Sequence, residues 1–463
     1  MPLLSSKLPN YSGPYQVGVV DIEAPTEKRL ISEHVFKDTQ QPAFALESVL
    51  FSMYYPANKG AISTKPHHPW ISDFAQQGEG YARFARINNV FTNNIFSWAL
   101  WTLVGSTVVP AEVDVPIYGT STQYDSSTEV PMEAGLPKFP VIVFSHGMAS
   151  SRTSYTQWCG ELASLGFIVA AIEHRDGSGP GSSVMLKDGS SREVYHISES
   201  MLEPQPETPE FKQIQIAMRQ AEIEETVRVL RQINDGHGKD VFASNARSEG
   251  DDLAAWRGRI NMDRIVVGGH SYGATGALQA LKDAPNDKRP FVGGLILDPG
   301  KQSGPLQSDI DVPILVVHSQ SWSARHSIFE GRPHFEVVKD LVKKVMRKKE
   351  GKKQQSAWFL TSKGTSHPSV TDAPLIEPML LSWTTGSTID VREGVMQYVK
   401  VGEEFMHFLE NGERIGVLAE DVTHPVYDQD ERDPERKAHM SQDIGKYWQI
   451  HVAPPSTDKK QRG

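Results

Sequence analysis

The sequence predicts an α/β fold with a mostly parallel central sheet and helices on both faces. Three observations predict it. Short apolar, β-branched runs alternate with helical segments along much of the chain. Pro140–Phe144 and Phe167–Ile172 flank one helical segment at the spacing of a βαβ unit, whose strands must run parallel. Arg264-Ile265-Val266-Val267 leads through a glycine-bounded turn directly into a second helical segment.

The chain has 463 residues, enough to bury a sizeable core. We expect a flexible arm over 1–12, a single domain over 13–453 and a disordered tail over 454–463. The net charge of −10 argues against a nucleic-acid binder and gives no overall attraction to anionic membrane. One cysteine, Cys159, excludes an intrachain disulfide and reads as packing. The start, Met1 to Pro9, lacks the apolar core of a signal peptide, and Pro2 excludes N-myristoylation. A cytoplasmic location, with peripheral membrane contact, is the expectation.

Taken in order, Val17–Val20 and Leu50–Tyr55 read as antiparallel strands, the second stopped by Pro56. His67-His68 sits between prolines in a loop, without further ligands at metal spacing. Ile95–Val104 is strongly apolar and carries Trp98, Leu100 and Trp101. It suits either a core helix or a surface helix touching lipid, and is too short to span a membrane. Pro140–Phe144 is a central strand ending in Ser145-His146-Gly147-Met148; Tyr155–Leu165 is a helix closed by Gly166. Glu173-His174-Arg175-Asp176 follows the next strand and reads as an ion-paired cluster. Gly177–Gly189 reads as a mobile loop, and Thr208-Pro209-Glu210 opens a long packing helix. Residues 235–258 read as connection. Phe291–Leu297, Pro313–His318 and Trp358–Leu360 are further strands, and Val395–Leu409 is a closing helix. Between them, residues 335–353 form an amphipathic helix ending in lysines and arginines (Lys343, Lys344, Arg347, Lys348, Lys349, Lys352, Lys353). That end is either a solvated helix terminus or an anionic-surface patch.

Gly269-His270-Ser271-Tyr272-Gly273 matches G-x-S-x-G between a strand and a helix. In α/β-hydrolases this turn strains the serine, exposes its hydroxyl and sets it at a helix N-terminus. A serine needs a base, and the base an orienting acid. The chain order serine, acid, histidine points to Asp298, at the end of the next strand, and His367, after the Trp358 strand. His318 is the strongest rival base; His326, His334, His407 and His424 are others, and Asp309, Asp311 and Asp372 are rival acids. In the expected mechanism His367 deprotonates Ser271, Asp298 orients His367, and the amides of Met148 and Tyr272 hold the oxyanion. No metal and no cofactor is required.

These residues together resemble the platelet-activating factor acetylhydrolase family, plasma and intracellular type II. The resemblance runs with gaps from Gly13-Pro14-Tyr15-Gln16-Val17-Gly18 to the helix near Leu409. It is densest in Phe144–Met148, Gly166–Asp176 and Gly269–Thr275, and includes Leu297-Asp298 and His367. It implies an α/β-hydrolase fold and a calcium-independent phospholipase. The substrates it implies are short or oxidised sn-2 esters such as 1-alkyl-2-acetylglycerophosphocholine. It assigns the triad to Ser271, Asp298 and His367, the oxyanion amides to Met148 and Tyr272, and a lipid-touching role to the 95–104 helix. Pro299-Gly300, Pro368 and the long stretch 319–357 depart from the family pattern near the acyl site. A carboxylesterase for small soluble esters and a non-catalytic lipid-binding protein are the alternatives.

Overall fold

The computed structural model describes residues 7–120, 135–186, 189–324, 327–329, 331–350, 353–377, 386–428 and 442–455. The chain divides into two compact units, Met1–Ile265 and Val266–Gly463.

The first unit is built on β1 (Gln16–Leu30) and β2 (Ala45–Ala57), paired antiparallel with Val19 opposite Tyr54. Both are far longer than their apolar cores suggest. Pro56 does not stop β2; it pairs opposite Val17, and its carbonyl accepts the Tyr118 N–H at 2.8 Å. Helices α1 (Phe74–Phe84) and α2 (Val90–Val104) follow and pack on each other. A Cβ on Gly78 would stand 2.2 Å from Ser97 Oγ, so the absence of a side chain there sets their close approach. Asn89 and Thr92 form a capping box at the start of α2. Of the apolar residues in α2 only Val104 is buried, which rules out the core-helix reading.

β3 (Glu112–Val113) runs parallel to β1, β4 (Phe139–Ser145) runs parallel to β5 (Ile168–Glu173), and β5 pairs antiparallel with β2. Between β4 and β5, α3 (Thr156–Ser164) buries Trp158 and Cys159 completely. The expected mobile loop after Asp176 is instead a hairpin: β6 (Gly181–Met185) pairs with β7 (Ser191–Tyr195). Its glycines and serines hid a hairpin in which Val184 of β6 and Val194 of β7 are buried. α4 (Thr208–Gln232) is the long helix, with Pro209 in its first turn. The stretch read as connection holds a π-turn (Ile233–His237), a short helix (Gly238–Ser244) and a 3-10 turn (Asp251–Trp256).

β8 (Ile260–His270) carries the chain into the second unit and leads into α5 (Tyr272–Ala280). β9 (Phe291–Leu297), β10 (Ile314–Ser319) and β11 (Ala357–Ser362) follow, with β9–β10 and β10–β11 parallel. α6 (His334–Arg347) and α7 (Val391–Asn411) are the main helices of this part. α7 is not the closing element. β12 (Trp448–Val452) adds antiparallel to β11 and is buried throughout, although Gln449 and His451 interrupt its apolar run. On the basic end of α6, Lys348 pairs with Asp309 and Asp311 and Lys344 with Ser308; Lys352 lies outside the described residues.

A Cβ on Gly80 of α1 would stand 1.7 Å from the Pro180 carbonyl oxygen. Gly80→Ala should therefore cost on the order of 1–3 kcal/mol by overpacking. A thermal melt checks this: a clear fall in Tm is expected, and an unchanged Tm would mean that α1 has room to shift.

Candidate active site

Ser271 sits between β8 and α5 with φ 56° and ψ −117°. A non-glycine residue reaches such a φ only where its surroundings impose it. Here the cause is steric. A Cβ on Gly269 would stand 2.3 Å from the Gly273 carbonyl oxygen, so strand and helix can cross tightly only because Gly269 has no side chain. The Ser271 N–H donates to Leu297 O at 2.9 Å, tying the turn to the end of β9.

The next residue on β9 is Asp298, 2% exposed and itself at φ 46°. Its N–H donates to Val317 O at 2.8 Å. Its carboxylate accepts from the Ser319 N–H (Oδ1, 2.6 Å) and the Ser319 hydroxyl (Oδ2, 2.7 Å) at the end of β10. Two such donors fix its direction. Oδ2 then meets His367 Nδ1 at 2.8 Å, and His367 Nε2 meets Ser271 Oγ at 3.1 Å. His367 opens a 3-10 turn, His367–Val370, where Pro368 takes the first-turn place that suits it. The His367 N–H donates to Ser321 Oγ at 3.0 Å. Three residues read from chain order thus form one relay, built from the ends of β8 and β9 and the 3-10 turn that follows β11.

The rivals are placed elsewhere. His318 is buried and its Nδ1 lies 3.2 Å from Ser323 Oγ; burial and neighbouring cations hold it well below its ordinary pKa. His334 stacks on His318 at 5.6 Å. His407 pairs with Asn411 on α7, and His424 with Thr423. Asp309 and Asp311 face Lys348, and Asp372 is buried ahead of a short helix, Ala373–Ile376. His326 lies outside the described residues.

Two aromatic neighbours of the base were not singled out from the sequence. Trp322 stacks on His367, with ring centroids 3.9 Å apart and planes 10° from parallel. The indole N–H donates to Pro299 O at 3.0 Å, which joins the ring to the residue after Asp298. Lys301 Nζ lies 4.3 Å from the same indole and donates to Trp322 O. His270 packs on His367 at 4.5 Å. Burial, and then the charge on His367, holds His270 well below its ordinary pKa, so it packs as a neutral ring. The signal for His270 lay inside the elbow motif. Trp322 follows a strand end in a stretch with no motif, so nothing marked it.

His270, Asp298 and His367 each bring a donor atom within 4.8 Å of the others, a spacing that a metal could use. His367 Nδ1 and Asp298 Oδ2 are already bonded to each other. Of the expected oxyanion donors, Tyr272 is the first residue of α5. Met148 lies in the turn after β4 in the first unit, and its N–H has no hydrogen-bond partner among the described residues. This arrangement can do nucleophilic acyl transfer: a strained serine, a base in reach and a buried, doubly bonded acid.

The family described as "Platelet-activating factor acetylhydrolase, isoform II" matches residues 3–421. The chain belongs to this family. A platelet-activating factor acetylhydrolase of Canis lupus familiaris is 37% identical over 171 residues, which cover 36% of this chain and 36% of that one. One of Bos taurus is 34% identical over 35% of each. In these two alignments the chain spans little more than a third of the relative's length. One of Gallus gallus is 24% identical over 79% of this chain and 74% of its own. A ferulic acid esterase of Streptomyces cinnamoneus superposes with a TM-score of 0.54 at 16% identity, over 90% of this chain and 96% of that one. The fold of this family member is that of the α/β-hydrolases, a large, mostly parallel sheet with helices around it.

Trp322→Ala removes one packed face of the base without touching the relay's hydrogen bonds. It should slow covalent labelling of Ser271 by a fluorophosphonate about 10-fold or more, the cost of a loosely held reacting group. Trp322→Phe should restore most of the rate. Equal labelling rates in wild type and Trp322→Ala would remove this role.

Proposed function

We propose that the protein is a calcium-independent serine esterase that hydrolyses short or oxidised sn-2 acyl groups of phospholipids, 1-alkyl-2-acetylglycerophosphocholine among them. The observation that carries the reading is the Ser271–His367–Asp298 relay, at 3.1 and 2.8 Å, on a serine held at φ 56°. Membership of the acetylhydrolase family supports the choice of substrate.

His367 Nε2 takes the Ser271 proton as Oγ attacks the ester carbonyl carbon. Negative charge collects on the carbonyl oxygen, where the amides of Tyr272 and Met148 are the expected donors. Collapse breaks the bond to the lysophospholipid oxygen, which takes the proton back from His367. Water, deprotonated by His367, then attacks the acyl-enzyme and releases the fatty acid and free Ser271. Asp298 fixes the His367 tautomer and stabilises its cation.

Hydrolysis of phosphatidylcholines with sn-2 chains from acetyl to palmitoyl, without added calcium, tests the reading. A steep preference for acetyl and oxidised chains is expected. Ser271→Ala should lose at least about 10⁴-fold in kcat. Cleavage of p-nitrophenyl esters alone would keep the relay and discard the phospholipid.

We place the reaction at a membrane surface, reached from the cytoplasm. α2 supports the contact: Val90, Phe91 and Trp98 are 81%, 74% and 64% exposed, and Ile95 and Trp101 are exposed beside them. Leu100 is half-buried and belongs to the packed side. A helix with this much apolar surface binds where one side is hydrocarbon and the other wet. No described helix is long and apolar enough to cross a membrane. Phe91→Ser with Trp98→Ser should weaken sedimentation with phosphatidylcholine vesicles about 10-fold or more by lost apolar burial. Hydrolysis of soluble p-nitrophenyl acetate should be unchanged. Undiminished vesicle binding would move the contact elsewhere.

A further inference from the structure

The first unit holds two clefts whose lining residues all lie within it and take no part in the relay. One, of about 520 Å³, is lined by apolar side chains, Phe36, Pro42, Leu186, Val194 and Ile197 among them. Ligand pockets run from roughly 300 to 1,000 Å³. A methylene is about the size of a water molecule, roughly 30 Å³, so this cleft holds one long hydrocarbon chain and not a pair. The other cleft, of about 940 Å³, is polar. Arg86 and Asn88 line it from the turn between α1 and α2, and Glu199 and Glu207 from the segment that leads into α4. Arg83, His196 and Met201 line both clefts, which therefore meet at these three side chains.

The polar cleft carries both signs of charge. Arg83 is already engaged: it pairs with Glu79 at 2.6 Å and lies 4.6 Å over the Tyr195 ring. Arg86 is exposed, and its guanidinium has no hydrogen bond or ion pair among the described residues. Glu199 accepts from the Thr208 hydroxyl at 3.2 Å, and Glu207 makes no side-chain cap bond to α4. Burial, and then Lys212, hold His196 below its ordinary pKa, so it stands at the join as a neutral ring. A guanidinium on one wall and two carboxylates on the other match a headgroup that itself carries both charges. A phosphate suits the guanidinium's paired donors, and a quaternary ammonium suits the carboxylates. A fatty acid would bring only negative charge to a cleft that already holds two carboxylates. The turn that carries Arg86 and Asn88 also exposes Phe84, Ile87, Val90 and Phe91, and the Phe84 ring packs on His196 at 5.0 Å. The join between the clefts is thus reached from the apolar surface that we place against lipid.

We propose that the joined clefts bind a single-chain zwitterionic phospholipid, its alkyl chain in the apolar cleft and its phosphate at Arg86. A lysophospholipid of this kind is the product that the proposed reaction releases. That link, and the nearby membrane contact, rest on the esterase reading; the clefts and their lining do not.

The test is calorimetric titration of the full chain with 1-O-dodecylglycerophosphocholine, an ether with no ester to cleave, kept below its micelle concentration. Saturable binding of one lipid per chain is expected. Arg86→Gln removes a charge-assisted bond from an exposed side chain and should weaken binding about 10-fold or more. Met201→Trp fills the join and should weaken it at least as much. Dodecanoate should bind wild type at least about 10-fold more weakly than the zwitterion, since it cannot use the carboxylates. Phe91→Ser with Trp98→Ser should leave the affinity unchanged, because a dissolved monomer needs no membrane contact. Each variant is checked for folding by thermal melt, and Arg86→Gln decides the matter if Met201→Trp does not fold. No saturable binding in wild type, or wild-type affinity in either folded cleft variant, would overturn the site. Equal affinity for dodecanoate would overturn the zwitterionic headgroup, and loss of binding in the Phe91 and Trp98 variant would move the lipid onto α2. Hydrolysis of p-nitrophenyl acetate is measured alongside. Binding without hydrolysis strikes down the esterase reading and leaves the site standing; hydrolysis without binding does the reverse.

Discussion

Everything at the site depends on one close crossing, that of β8 over α5 at Gly269 and Gly273. With 2.3 Å between a hypothetical Gly269 Cβ and the Gly273 carbonyl, no other residue fits at 269 without moving the helix. The crossing forces Ser271 to a positive φ. That φ lifts its hydroxyl out of the strand ladder, while the Ser271 N–H reaches Leu297 O. The same bond sets the height of β9, and so of Asp298 one residue later. Asp298 in turn is held by Ser319 at the end of β10. Nucleophile and acid are therefore placed by neighbouring strand ends. Only the base arrives from a separate turn, and it is the base that needs extra support, from Trp322 and His270.

That division explains what could be read from the sequence. Buried strands announce themselves: Phe291–Leu297 is apolar throughout, and its structural bounds match the reading. The elbow was legible because its glycines answer a local steric demand. Asp298 and His367 were legible because order and strand ends narrow the choice to a few residues. Trp322 was not, since ring stacking between Gln320–Ala324 and a turn 45 residues on leaves no periodic trace. β6 and β12 were missed for a related reason. Gly181-Ser182-Ser183 has loop composition but is held by its own hairpin partner β7, while Gln449 and His451 are polar and β12 is stabilised by β11, about 90 residues back in sequence. α2 was legible as apolar but not as exposed, because composition does not say which surface meets which.

Electrostatics separates the two units' roles. The first unit buries a dense set of ion pairs, Asp21–Arg152–Glu173, Glu23–Arg175 and Asp176–Arg219. Arg152 pulls the Asp21 carboxyl well below the ordinary range against the opposing effect of burial, and Arg219 does the same for Asp176. Such pairs hold backbone in place more than they add stability. In the second unit ion pairs outside the relay, Lys348 with Asp309 and Asp311 and Arg332 with Asp340, lie on the surface, and the buried acid Asp298 faces a histidine that must gain and lose a proton.

The chain holds two relays of serine, histidine and acid, and comparing them shows what makes one reactive. Ser145–His174–Glu222 has the shorter distances, 2.7 and 2.6 Å against 3.1 and 2.8 Å. By hydrogen bonds alone it is the better triad. Yet Ser145 closes a regular strand, is fully buried, and its oxygen already accepts from Arg219. Burial drives the His174 pKa down and pushes that of Glu222 up, which works against an imidazolium–carboxylate pair there. Asp298 instead accepts two hydrogen bonds from Ser319. Strain at the serine and a half-buried base are what convert the geometry into chemistry. The second relay keeps the geometry and, lacking both, is left to hold a turn in place.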